Sequence, residues 1–82
     1  MANRKALAAV FGEVVRELRL ERGLTQDQLA EEAKTERSHI SALERAEKGP
    51  SLATIFTIAP ALGMSASELI TQIEHRIASK KR

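Results

Sequence analysis

Apolar residues recur along this chain at spacings of three and four, the pattern left by helices that bury one face. Over residues 6–21, Leu7, Phe11, Val14, Val15 and Leu18 share such a face, which predicts an amphipathic helix capped by Asn3 and ended before Gly23. A second segment opens at Thr25, with Gln28 at capping-box spacing, turns Leu29, Ala30 and Ala33 inward, and ends near Lys34. A third starts at Thr35 or Glu36, places Ile40 and Leu43 on one side and stops near Ala46. After the loop EKGPS, Ser51 is placed to cap a fourth helix whose apolar members are Leu52, Ile55, Phe56, Ile58, Ala59 and Leu62. Gly63 ends it, and Pro60 is expected to bend or loosen its last turn. Ser65 and Glu68 make another capping-box pair for a fifth helix through Leu69, Ile70, Ile73 and Ile77, ahead of the basic tail Lys80, Lys81 and Arg82. There is no strand pattern, internal repeat or linker. The expected fold is all-α, a compact five-helix globule forming one domain over residues 1–82.

The second and third segments raise a physical question, because helices of about two to three turns are not stable alone. Joined by a short turn, each can fix the other, and the later one can be held out from the body. With Ile40 at zero on a wheel of about 100° per residue, Leu43 and Glu44 fall on its side, while Arg37, Ser38, Ser41, Ala42 and Arg45 gather opposite. That outer face is small, polar and basic. It suits the major groove of a duplex, where Arg pairs bidentately with guanine and Ser meets several base edges.

Composition narrows the alternatives. An 82-residue chain hides a smaller share of its surface than larger domains do, and with 43% hydrophobic residues but two Phe and no Tyr or Trp, its core must come from Leu, Ile, Val and Ala. The absence of cysteine excludes disulfides and thiol chemistry and fits a reducing cytoplasm. The start MANRKALAAVFGEVV has basic residues and then an apolar run, but charge returns at Glu13 and Arg16, so neither a membrane span nor a cleaved signal is expected. A net charge of +2 gives weak bulk attraction to polyanions, so any such function rests on where the charges sit. Enzymatic chemistry is not expected. His39 and His75 are distant in sequence, Ser38 and His39 are helical neighbours that point apart, and no phosphate loop or metal-ligand spacing occurs. No cofactor, metal or small-molecule effector is indicated.

Several short motifs then combine. Gln26, Leu29-Ala30, Ile40-Ser41, Leu43-Glu44-Arg45 and Pro50-Ser51-Leu52, with Arg19 and Gly23, fall at the spacing found in phage-repressor and Cro-type helix-turn-helix proteins, the XRE family, which residues 11–63 resemble. The segment ERSHIS, Glu36 to Ser41, is also similar to the matching segment of restriction-modification controller proteins. The resemblance implies a repressor-like globule with a helix-turn-helix formed by the second and third helices. It implies base reading by Arg37 and Ser38, with Ser41 and Ala42 one turn further on. Thr25 and Gln26 fall where a phosphate meets a helix start, and His39, Arg45 and Lys48 where the backbone is touched. Arg19 and Glu44 match an internal ion pair. Each residue also has a plainer use: Thr25 with Gln28 as a cap, Glu36 as a helix-start charge, His39 as a partly packed surface histidine, and Lys48, Arg4, Lys5 and the basic tail as solvated cations.

The chain departs from that family in places. Lys34 stands where the turn usually has Gly, and a left-handed Lys costs roughly 1 kcal/mol. Thr35 replaces an apolar residue. Glu36 is a poorer cap than Ser or Asp, so Thr35 could take over, shift the helix start by one residue and re-aim Arg37. Ala46 replaces a terminating Gly, for which Gly49 is the expected compensation.

The fifth helix bears on partners. Leu69 reads as core, whereas Ile70, Ile73 and Ile77 extend past the span a five-helix body needs and would leave an apolar stripe in water. Residues 65–79 are therefore expected to form a dimerisation helix, the alternative being that the stripe packs back on the first helix near Leu7 to Val10. A two-fold homodimer sets its reading helices about 34 Å apart on a palindromic operator. The function expected is a homodimeric, cytoplasmic transcriptional regulator of double-stranded DNA without membrane association. The competing expectation is an antitoxin-like or adaptor interaction module that also binds DNA.

Overall fold

The computed structural model describes residues 3–80, which form five helices and no strand: α1 (Arg4–Glu21), α2 (Gln26–Ala33), α3 (Arg37–Glu44), α4 (Leu52–Ala61) and α5 (Ala66–Lys80). Their starts are set by side chains that satisfy otherwise unpaired backbone donors. Asn3 Oδ1 accepts from the Ala6 amide at 2.8 Å, so α1 begins two residues before the first position expected from periodicity. Both capping boxes close. The Gln28 amide donates to Thr25 Oγ1 at 3.0 Å while the Thr25 amide donates to Gln28 Oε1 at 2.8 Å, and Ser65 and Glu68 repeat the exchange at 3.0 and 2.8 Å. Ser51 accepts from the Thr54 amide at 3.0 Å.

α1 packs against α3 and α5, α2 against α3 and α4, and α4 against α5. The largest fully buried side chains are Phe11, Val15, Leu29, Ile40, Leu43, Ile58 and Leu69. Burying a residue such as Leu or Phe contributes about 1.5–3 kcal/mol, so this set ties all five helices together. Gly12, on the buried face of α1, permits a close backbone approach of α3: a Cβ there would lie 2.5 Å from the Leu43 carbonyl oxygen and 2.9 Å from that of Glu44. Pro60 is accommodated in the last turn of α4. Its missing donor orphans only the Phe56 carbonyl, on a residue that faces solvent. Gly63, at φ +77°, then lets the Met64 amide reach the Ala59 oxygen at 3.0 Å.

Several apolar residues lie elsewhere than expected. Ile73 is buried in the core and Ile77 packs half-buried against it, so of the proposed outer stripe only Ile70 stays exposed. The α5 stripe docks on its own α1, reinforced by ion pairs from Arg76 to Glu13 and Glu17 and from Lys80 to Glu13. In contrast, Leu52 and Phe56, among the apolar members of α4, are 69% and 62% exposed. Leu7 lies at the edge of the core rather than in it. No single helix among the described residues is long and apolar enough to cross a membrane, and the chain bends by 102° between α4 and α5.

Candidate nucleic-acid interface

The segment between α2 and α3 determines where α3 points. Lys34 adopts the left-handed conformation, φ 58° and ψ 44°, as a turn built for Gly requires, and the Thr35 amide closes back on the Ala30 oxygen at 2.9 Å. Glu36 occupies the cap position without a side-chain hydrogen bond. Thr35 does not replace it. Its hydroxyl pairs instead with His39 Nδ1 at 3.0 Å, joining the turn to the first turn of α3. The helix therefore begins at Arg37, later than the expected Thr35 or Glu36, and ends at Glu44, before the expected Ala46. Beyond it Ala46 itself takes the left-handed turn, at φ 61°, and the Glu47 amide reaches the Ala42 oxygen at 2.9 Å; Gly49 is not used for this.

Ile40 and Leu43, fully buried against α1 and α2, hold the inner side of α3. The opposite side presents Arg37 and Ser38, both exposed, with Ser41 and Ala42 half-buried one turn on and His39 half-buried in the first turn. Arg37 Nε lies 3.9 Å from Asp27 Oδ1 of α2. Arg45 is exposed at the far end, and its guanidinium donates to Glu47 at 3.0 Å, so part of its charge is met locally. Lys48 is exposed. With Lys34, Thr35, Glu36, Ser38, His39 and Ala42 it lines an open groove along the start of α3.

A buried polar cluster fixes the start of α2. Arg19 Nε donates to Glu44 Oε2 at 2.6 Å and Nη2 to Oε1 at 3.1 Å, while Nη1 donates to the Leu24 carbonyl at 2.7 Å. Glu44 Oε1 also accepts from Gln26 Nε2 at 3.1 Å. One guanidinium and one carboxylate thus join α1, the α1–α2 turn, α2 and α3. The Gln26 amide keeps a second hydrogen, and the Thr25 hydroxyl, accepting from Gln28, keeps its own. Both are donors at the positive end of a helix, as an anion requires.

The remaining cations fall outside this surface or pair within the fold. Arg4 and Lys5 are exposed in the first turn of α1, Lys80 pairs with Glu13 at 3.2 Å, and Lys81 and Arg82 lie outside the described residues. No cluster of potential metal ligands occurs among the described residues. Two features escaped the sequence reading. The Asp27–Arg37 approach has no local signal, since it depends on how α2 crosses α3. Gly12 did have one: a glycine on the buried face of an amphipathic helix marks a close backbone approach.

Known proteins share this arrangement. The helix-turn-helix family profile matches residues 15–69. The immunity repressor protein of Bacillus phage phi105 is 42% identical over 59 residues, which are 72% of this chain and 41% of the repressor, so the chain spans less than half that relative's length. Control protein C.SmaI of Serratia marcescens is 36% identical over 63 residues, 77% of this chain and 75% of that protein. The restriction-modification controller protein C.AhdI from Aeromonas hydrophila superposes with a TM-score of 0.71 at 37% identity, covering 76% of this chain and 94% of its own. With its α2–turn–α3 unit and this breadth of similarity, the chain belongs to the XRE-type helix-turn-helix family.

Proposed function

We propose that the protein is a transcriptional regulator that binds double-stranded DNA sequence-specifically, seating α3 in the major groove. The observation that carries this reading is the outward projection of Arg37 and Ser38 from the first turn of α3, with Ile40 and Leu43 clamping the helix from behind. Arg37 and Ser38 read base edges, Ser41 offers a further hydroxyl, and Ala42 a methyl contact to thymine. Thr25 and Gln26 hold a phosphate at the start of α2, while His39, Arg45 and Lys48 touch the backbone. The names of the relatives, an immunity repressor, a control protein and a restriction-modification controller protein, support regulation as the outcome. Action is cytoplasmic, on the operator, with residues 1–82 working as one unit.

The regulator acts as a homodimer on a palindromic operator. The side chains suited to the two-fold contact are the exposed apolar ones, Leu52 and Phe56 on α4 and Ile70 on α5, because Ile73 and Ile77 are already engaged within the monomer. Selecting bound duplexes from a random pool tests the reading. Recovered sites should be inverted repeats with half-sites about one duplex turn apart, bound with an affinity that falls steeply as salt rises. Salt-insensitive binding, or no enrichment from the pool, would overturn it; enriched sites without symmetry would retain the reader but refute the dimer.

A further inference from the structure

Asp27 is the second residue of α2, beside Gln26 at the end where a phosphate is expected. A carboxylate there repels that phosphate, and it is not needed as a cap, since Thr25 and Gln28 already close the capping box. Among the described residues its ion-pair partner is Arg37, the first residue of α3, with Arg37 Nε 3.9 Å from Asp27 Oδ1 and the two side chains 64% and 77% exposed. A pair so exposed contributes little to folding. In a duplex groove, from which water is expelled, the same pair strengthens.

Resting on the base-reading role of Arg37 proposed above, we infer that Asp27 is a positioning residue for sequence recognition: it holds the Arg37 guanidinium by its Nε side. The guanidinium presents five donors in a planar fork. With Nε turned to Asp27, the two terminal amino groups are left as an outward pair, matched to O6 and N7 of guanine. Freed from the carboxylate, the long side chain spreads over many rotamers and reaches phosphates as readily as a base edge. Asp27 thus gives up some general affinity for polyanions and gains discrimination.

The experiment uses the full chain, a duplex selected from a random pool, and the same duplex altered at the base pair whose change is felt only when Arg37 is present. The measured quantity is the ratio of the two affinities. Arg37→Ala should lower that ratio by about tenfold to a hundredfold. Asp27→Asn, which keeps size and removes charge, should raise affinity for the altered duplex and lower the ratio by about twofold or more, but should leave it unchanged in the Arg37→Ala background. If Asp27→Asn raises both affinities equally, Asp27 is only a repelling charge and the inference is overturned. An equal fall of the ratio in both backgrounds also overturns it, because Asp27 would then act independently of Arg37. A ratio indifferent to Arg37→Ala at every base pair refutes the underlying base-reading role instead, and the positioning role with it.

Discussion

Arg19 of α1 and Glu44 of α3 meet in a two-pronged ion pair, at 2.6 and 3.1 Å, with only 9% and 3% of their side chains exposed. Each charge is satisfied almost wholly by protein groups: Arg19 by Glu44 and the Leu24 carbonyl, Glu44 by Arg19 and Gln26. Removing water from two such ions offsets much of their attraction. The pair is better understood as setting orientation, because its four contacts relate α3 to the start of α2.

Breaking half of that pair should be severe. Glu44→Ala leaves a buried guanidinium without a counter-charge and is expected to lower stability by about 3–5 kcal/mol, comparable to the whole margin of a small domain. Urea titration followed by circular dichroism measures this. The double replacement Arg19→Met with Glu44→Leu should restore much of the stability while still impairing DNA binding, since Gln26 loses its anchor. A Glu44→Ala protein as stable as the parent would show that the cluster is dispensable.

Gly12 bears on the same contact from the α1 side. Alanine there gains up to about 1 kcal/mol of helix propensity, but its methyl would press on the Leu43 and Glu44 carbonyl oxygens at 2.5 and 2.9 Å. Both are backbone atoms at the end of α3 and can yield only if the helix moves. The clash should dominate, with Gly12→Ala destabilising by roughly 1–3 kcal/mol and lowering the melting temperature. A rise in melting temperature would mean that α3 is not seated so closely.

Acid should loosen α5 from α1. The Arg76 guanidinium, chiefly by hydrogen bonding, holds the Glu17 carboxyl below its ordinary value of 4.5; burial opposes this next, and the charges of Arg76 and Lys80 add to the lowering. The folded chain therefore takes up this proton less readily than the unfolded chain. The contribution is complete above the ordinary carboxylate value and disappears as pH falls through the lowered folded one. Comparing wild type with Arg76→Gln across that acid range, at low salt because these groups are exposed, should show a difference in stability near neutrality that narrows on acidification. A difference independent of pH would assign Arg76 a packing role alone.

An exposed and a buried apolar residue should respond differently to the same change. Phe56→Asp alters an exposed side chain and is expected to give folded monomers, whereas Ile73→Asp buries a carboxylate in the core and should unfold the chain. Sedimentation together with circular dichroism separates these outcomes. A Phe56→Asp protein that remains dimeric would move the interface elsewhere.

The helices were legible because their ends are written locally. Asn3, Thr25 with Gln28, Ser51, and Ser65 with Glu68 each need only residues a turn away to act as caps, and they do. The outward side of α3 was legible too, since fixing Ile40 and Leu43 inward leaves Arg37 and Ser38 no other direction. The start of α3 was not. The Thr35 hydroxyl had two possible uses, as a cap or as a partner for His39, and spacing alone does not rank them. Nor did spacing decide whether α5 would cover its isoleucines with α1 or with a second chain, which depends on where α1 lies in three dimensions.

The reading helix itself is best challenged by titrating wild type and Arg37→Ala against a selected operator and a shuffled duplex of equal length, at one salt concentration. If Arg37 meets a base edge, the substitution should weaken operator binding by about 1–3 kcal/mol and abolish preference at one base pair per half-site, with a much smaller effect on the shuffled duplex. Equal losses on both duplexes would reduce Arg37 to a phosphate contact and remove the basis for sequence-specific reading by α3.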